Sequence, residues 1–285
     1  MTRRGTITII IILALFAATA LGSSSPEDKK LKAEELIARH LESIGPQTEL
    51  AAVKSRVATG PVTLVVRVGG AGSIEGEAIV ASTGPKQRVN MKFPAIEYPA
   101  ESLAFDGSKL GTGFLPNGNR SRLSAFISQQ DETMQEGLLG GVLTTAWPLL
   151  RIAELQPRLD YKGLKKIDGR ELHEVNYRPR KGSGELKIAL YFDPANFRHV
   201  RTRYSYTISA TIGTRQSSNQ NPESYYSLTE DFDDFRDANG LMLPHKYRLQ
   251  LSVEAGGNTS LYDYNLAFSR ISHNEPMDDK VFVLK

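Results

Sequence analysis

Five histidines, His40, His173, His199, His245 and His273, are the side chains of this 285-residue chain best suited to proton transfer or metal binding. None stands at a metal-ligand spacing from another, and no His-Glu-x-x-His run occurs. Each therefore reads first as an ordinary core or surface histidine. The serines include no Gly-x-Ser-x-Gly elbow, so nothing marks an activated nucleophile. The run Asp231-Phe232-Asp233-Asp234-Phe235-Arg236-Asp237 has the carboxylate density for a cation. It lacks the glycine and terminal glutamate of a twelve-residue calcium loop, and reads as an exposed strand end. Gly69-Gly70-Ala71-Gly72 resembles a phosphate loop in composition, but a strand follows it where a phosphate loop needs a helix. We assign no catalytic residue, no metal ligand and no cofactor.

What the sequence does hold is alternation. Leu186, Ile188, Leu190 and Phe192 share one strand face, and Val200, Tyr204, Tyr206, Ile208 and Ile212 share the next. Before them His173, Val175 and Tyr177 alternate with Leu172, Glu174 and Asn176. Turn clusters at Lys181–Gly184 and Asp193–Asn196 separate the runs. This is an antiparallel meander over Asp168–Ile212 with one apolar face. Similar runs occur at Val62–Val68, Ile74–Ser82, Arg88–Phe93, Glu101–Phe105, Leu110–Leu115, Glu223–Phe235, Tyr247–Val253 and Tyr262–Phe268. About eleven strands with almost no helix–strand alternation predict an α+β, mainly β domain, a large antiparallel sheet with helices on one side. A sheet of that size should curl.

Two helical regions interrupt the strands. Ser25 as cap, Pro26 at the first turn, and Leu36, Ile37, Leu41 and Ile44 at helical spacing predict a helix over Glu27–Ile44. A short turn should follow at Gln47–Val53. From Ser121 to Leu150 the chain is unusually apolar, with spacings of three and four from Met134 on, so one or two helices are expected, weakened at Gly140-Gly141. The segment reads first as a core cap over the mouth of the sheet and second, without excluding the first, as a mobile lid or ligand wall.

Composition narrows the class. At 40% hydrophobic and 24% charged, the chain is ordinary for a globular protein with a sizeable core. The net charge is +3, and removing Arg3 and Arg4 leaves 3 − 2 = +1, with no basic stripe for nucleic acid. There is no cysteine, hence no disulfide, thiol chemistry or cysteine lipid anchor. Residues 1–22 have a basic start, an apolar run of about 15 residues and small residues before Ser23. That run is short for a membrane span of roughly 20. A cleaved export signal followed by a single domain over 23–285 is expected, and a periplasmic location with it; an uncleaved membrane anchor is the alternative.

The order of EELIARHLESIG, LAAVKSRVATG, GEAIVAS, SLAFDGSKLG, DGRELHEVNY, LYFDPANFRHVRTRY and FDDFRDANGLMLPHKYRL resembles the LolA/LolB-like superfamily of outer-membrane lipoprotein-sorting proteins. The resemblance covers most of the mature chain. It implies a half-open β-barrel of about eleven strands lidded by helices, with an apolar cavity that takes acyl chains. The periplasmic carrier of that family latches its lid through an arginine just before a proline on an early strand. Here Gly84 precedes Pro85, so no arginine latch carries over to that position.

The expected function is non-enzymatic binding or carriage of a lipid or lipoprotein acyl chain in the cell envelope, by a monomer with transient membrane contact. Phe93, Phe105, Phe114, Phe126, Leu138, Leu139, Trp147, Phe192, Tyr204, Tyr206 and Tyr264 are the candidate cavity residues. The alternative is an envelope interaction module with a side-chain-filled core, binding a protein through sheet edges or the acidic run. An envelope hydrolase ranks below both.

Overall fold

The computed structural model describes residues 31–209 and 223–284. The expected export signal, the caps Ser25 and Pro26, the first residues of the predicted helix and the end of the meander at Ile212 lie outside them. Among the described residues no helix is long and apolar enough to cross a membrane.

Helix α1 (Ala33–Ile44) buries Leu36, Ile37, His40 and Ile44, the i, i+4 stripe of its sequence, and Glu34 and Glu35 sit in its first turn where the helix dipole favours them. Helix α2 (Gln47–Ala52) follows Pro46. The rest is mainly one antiparallel sheet of thirteen strands: β1 (Ser55–Arg67), β2 (Ala71–Thr83), β3 (Lys86–Lys92), β4 (Ala100–Phe105), β5 (Leu110–Thr112), β6 (Arg158–Ile167), β7 (Arg170–Arg178), β8 (Lys187–Phe192), β9 (His199–Ile208), β10 (Ser224–Ala238), β11 (Leu241–Ala255), β12 (Asn258–Ala267) and β13 (Arg270–His273). Their order is β5-β4-β3-β2-β1-β12-β11-β10-β9-β8-β7-β6, with β13 beside β1. The sheet does not close, so the architecture is the half-open barrel with helices that the sequence predicted. Two strands were not foreseen. In β6 a bulge between Tyr161 and Gly163 breaks the alternation, and β13 is only four residues long.

The sheet has two arms sewn together by β1 and β12, which pair from Val62↔Leu266 to Arg67↔Leu261. β1 changes partner along its length, meeting β13 up to Thr59 and β12 from Val62. Gly60 and Pro61 occupy the change. A proline has no N–H to leave unpaired there, and a Cβ on Gly60 would lie 2.0 Å from the Ala267 carbonyl oxygen. β1 therefore begins seven residues earlier than its alternating part, Val62–Val68, suggests.

β5 and β6 are the two free edges of the sheet and are consecutive in sequence. The chain that joins them thus has to cross the barrel's opening. It leaves β5 and enters β6 at one and the same end of the sheet, the end that carries the β1–β2 hairpin, the β3–β4 loop and the β11–β12 turn. We call this end the rim. Between its ends the inserted segment is broken into α3 (Arg122–Gln129), α4 (Glu132–Gln135), 3-10 turns at Gly141–Leu143 and Pro148–Arg151, and α5 (Ile152–Leu155). The expected one or two helices are present as α3 and α4, but the helical spacing from Met134 on does not continue as α-helix, for a local reason. Gly137, Gly140 and Gly141 all take positive φ, which stops helix propagation, and the segment is buried on nearly every side. Ser121 caps α3, its hydroxyl accepting from the Ser124 N–H at 2.9 Å.

On the outer face, charges form a row across the strands. Arg201 bonds Asp168 at 2.6 Å and Asp231 at 2.5 Å, and Arg248 reaches Asp231 at 3.8 Å and Asp263 at 2.7 Å. The acidic run is divided by this pattern: Asp231 joins the row, Phe232 enters the core, and Asp234 pairs with Arg236. Among the described residues no group of three His, Asp or Glu could hold a metal. A first test concerns the seam: Gly60→Ala should lower stability by about 2–3 kcal/mol, read as a lower urea midpoint at unchanged m value.

Candidate functional site

The space between the sheet's inner face and the inserted segment is filled with side chains. From the insert come Leu123, Phe126, Ile127, Met134, Leu138, Leu139, Val142, Leu143, Trp147 and Leu149, each at most 2% exposed. From the sheet come cross-strand rows such as Val66–Tyr262–Leu251–Leu228–Tyr204–Ile188–Tyr177, set by strand register. Of the predicted cavity residues, Phe93, Phe105, Phe126, Leu138, Leu139, Trp147, Phe192, Tyr204, Tyr206 and Tyr264 meet in this one cluster. Phe114 does not. It is 59% exposed beyond β5, with the Arg120 guanidinium 4.6 Å over its ring.

What pins the insert is polar, and alternation alone did not reveal it. Glu230 on β10 is fully buried. Its carboxyl accepts from the Tyr204 hydroxyl at 2.6 Å, the Tyr247 hydroxyl at 2.6 Å and the backbone N–H of Gly140 on the insert at 2.6 Å. Burial pushes its pKa up to about 7, and the three donors hold it from rising further. Glu101 on β4 is the second such group. Ser124 on α3 and Tyr98 donate to it, and Tyr264 lies 3.5 Å away. Burial raises this carboxyl too, against the pull of the hydroxyls of Ser121, Ser124, Tyr98 and Tyr264. Neither carboxyl has a cation among its hydrogen-bond partners.

Further ties run from strands to insert. Arg56, 2% exposed, donates to the Val142 carbonyl and, through Nε, to His273 at 3.3 Å; burial lowers its pKa to about 10. Gln87 donates to the Met134 carbonyl at 2.6 Å, and the Thr145 N–H donates to Ser82 at 2.8 Å. Tyr177 donates to Glu136 at 2.9 Å and Tyr206 to Gln129 at 2.9 Å. A buried donor or acceptor left unpaired costs roughly 1–3 kcal/mol. These bonds therefore fix where the insert sits more than they add to net stability.

At the deepest point the insert meets three rings. Trp147 donates through Nε1 to His40 Nε2 at 3.3 Å, and His40 gives its Nδ1 proton to the Phe197 carbonyl at 3.2 Å. These two bonds define the neutral tautomer, and burial drops the His40 pKa to about 4. His199 packs 4.7 Å from Trp147 and 4.9 Å from Phe232 by ring centroids. Burial lowers its pKa well below the usual histidine range. A Cβ on Gly141 would stand 2.8 Å from Phe232 Cζ and 3.3 Å from His199 Nδ1, so only glycine lets the insert seat this far down.

Toward the rim the packing thins. Val66, Ile74, Tyr226, Val253 and Tyr262 continue the inner face but are only half-buried, and Tyr206 and Tyr226 stack at 4.8 Å. Val68, Ile96, Phe114, Ile208 and Tyr225 stand exposed at this same end, Ile96 at 87%. The inner face thus runs from a sealed floor to an open apolar mouth. An open groove of about 1120 Å³ lies at the rim end of β6–β9, beside Tyr206 and Tyr225, with Arg158, Lys162, Arg178, Lys187 and Arg203 against Asp160 and Glu185.

Sequence reading missed the ties, although one signal was present. Tyr226, Leu228, Glu230 and Phe232 alternate in phase, which puts a glutamate at an inward position. Glu101, Leu103 and Phe105 repeat the pattern. A charged residue in step with core residues marks a buried carboxylate.

No protein-family model matches the sequence, and no curated protein matches it. Solved structures do resemble it. A putative outer membrane lipoprotein-sorting protein domain from Vibrio parahaemolyticus is 11% identical, covering 88% of this chain and 97% of its own, with a TM-score of 0.45. A LolA superfamily protein from Nitrosomonas europaea is 15% identical over 90% and 99%, with a TM-score of 0.43. A DUF1329 family protein from Desulfovibrio piger is 9% identical over 88% and 97%, with a TM-score of 0.41. Structures of the superfamily named from the sequence motifs are therefore among those that resemble this chain.

The seating of the insert is open to test. Gly141→Ala, at a φ of +49°, should cost about 1–3 kcal/mol and raise acrylamide quenching of Trp147, the chain's single tryptophan.

Proposed function

We propose that the protein is a non-catalytic, exported acyl-chain-binding protein of the cell envelope, and that the chain enters at the rim in exchange for the inserted segment. The observation that carries this reading is the grading of one inner face, from a floor sealed by the insert to a half-exposed apolar mouth. The insert is joined to the sheet only through its two edges, and both joints lie at the rim. It can therefore withdraw without unpairing a strand of the main ladder. Gly113, Pro116 and Gly118 before it, and Gln156 at positive φ followed by Pro157 after it, are suitable turning points.

Magnitudes indicate the kind of ligand. Ten buried apolar side chains at about 2 kcal/mol each put the insert's packing on the order of 20 kcal/mol, as an upper bound. One chain of about fifteen methylenes recovers roughly 12 kcal/mol at about 0.8 kcal/mol each. A single fatty acid replaces only part of the insert, whereas a lipid with two or three chains can replace it all. The proposed ligand is accordingly a multi-acyl lipid or the lipid group of a lipoprotein. Phe93, Phe105, Phe192, Tyr204, Tyr206 and Tyr264, the predicted lining residues that lie outside the insert, would form its inner wall.

Protein purified from envelope extract should carry extractable diacyl or triacyl lipid, identified by mass spectrometry. Delipidated protein should take up a diacyl lipid with a fluorescent chain. Val253→Asp and Tyr226→Asp, at the half-buried mouth, should each reduce that uptake at least tenfold. Unchanged uptake in both, or no uptake by the wild type, would overturn the reading.

A second reading is favoured by the filled interior and the basic groove over β6–β9: a protein-binding module with a permanent core, taking an acidic partner segment on its outer face. The wild type should then take up no diacyl lipid, and Arg178→Glu with Arg203→Glu should abolish its cross-linking to an envelope partner. Cross-linking retained in that double variant would count against it.

A further inference from the structure

We propose that Glu101 and Glu230 form a proton-operated clasp, which holds the inserted segment while both carboxyls carry a proton and loosens it when they ionise. The proposal deepens the acyl-chain reading by naming what controls access to that site.

The geometry comes first. The two carboxyls sit on β4 and β10, on opposite arms of the sheet, and each touches the insert directly. Glu101 engages Ser124 in the first turn of α3, and Glu230 engages the Gly140 N–H at the segment's deepest bend. Glu230 is otherwise bounded by Tyr204 and Tyr247, and Glu101 by Ser121, Tyr98 and Tyr264. Hydroxyls donate or accept, so these boxes satisfy a neutral carboxyl as well as a charged one. Among the described residues no arginine or lysine acts on either group to hold it ionised, and Asp231 raises Glu230. An ion here is a buried charge with no counter-ion, and buried charges are costly unless paired.

The sign follows. In the closed form the Glu230 pKa is near 7, whereas its ordinary value is 4.5. Withdrawing the insert and admitting water returns it toward the ordinary value, so opening releases a proton. Rising pH between about 4.5 and 7 therefore favours opening, by up to about tenfold per pH unit, or roughly 300-fold across the whole shift for this residue alone. Glu101 acts in the same direction. Arg56, bonded to the Val142 carbonyl, stays charged over this range, and the histidines against the insert oppose the carboxyls. His40 from α1 and His199 from β9 are neutral in the closed form and take protons when hydrated below about pH 6.5. They favour opening as pH falls toward 4. The wild type should thus respond weakly to pH between 4.5 and 6.5, where the opposing groups cancel, and show its remaining alkaline transition, about threefold toward opening from Glu230, between 6.5 and 7.

Glu230→Gln separates the opposing groups. Its amide donates to Tyr204 and its oxygen accepts from Tyr247 and Gly140, as the protonated acid does, but it does not ionise. With the full exported chain in lipid-free buffer, acrylamide quenching of Trp147 reports insert position with no ligand present. At pH 8 the variant should open up to about 300-fold less readily than the wild type, and the two should converge by pH 4.5. A ratio that is the same at pH 8 and pH 4.5 would overturn the clasp. Tyr204→Phe provides an independent check. It removes one donor to the carboxyl and should move the wild-type alkaline transition to higher pH; an unmoved transition also overturns it. If the clasp holds while no diacyl lipid is taken up, the acyl-chain reading fails and the clasp stands on its own.

Discussion

An open sheet with one apolar face must have that face covered, and here the cover is dictated by chain order. β5 and β6, neighbours in sequence, are the two edges of a thirteen-stranded half-barrel. Whatever joins them has to pass over the opening. Apolar residues in that joining segment fill the interior, glycines at positive φ let it bend to the floor, and buried polar groups from strands across the sheet fix its position. Every functional possibility of the molecule depends on whether that one segment stays in place.

The polar ties explain why a greasy interior contains two glutamates, an arginine and a glutamine. An apolar contact is nearly indifferent to sliding, since one methyl serves as well as another. A hydrogen bond to a particular backbone atom is directional. Glu230 on Gly140, Arg56 on Val142 and Gln87 on Met134 therefore select one seating of the insert among many that would bury similar area. Such groups also make the seated state answerable to conditions that apolar packing ignores.

Much of the wall was legible beforehand. Alternation identified the inward residues of Leu186–Phe192, and Tyr204 and Tyr206 of the next strand, because a half-buried strand imposes period two; Val200 departs because the pairing shifts at Tyr191/Phe192, so that it packs with Leu172 and Tyr191 in a separate cluster, and Ile208 is exposed. β6 escaped because a bulge shifts its phase at Tyr161–Gly163, and the beginning of β1 because Gly60-Pro61 looks like a turn when its changing partners are unknown. The insert's residues were recognised as apolar cover, but its backbone was not, since tertiary contact there overrides the helical spacing. The clasp was written in the sequence as a glutamate in phase with Tyr226, Leu228 and Phe232. Recognising it as a site required the third dimension, because its partners come from β9, β11 and a glycine ninety residues away.

The seam between β1 and β12 has a consequence for how the molecule comes into being. Val62 pairs with Leu266, so the two arms unite only through residues some two hundred positions apart. Pairing of such high contact order is slow. The first arm, β1–β5, emerges with an unpaired long edge at β1 and waits for nearly the whole chain before that edge is met. Completion of the sheet is thus a late event in the life of the polypeptide.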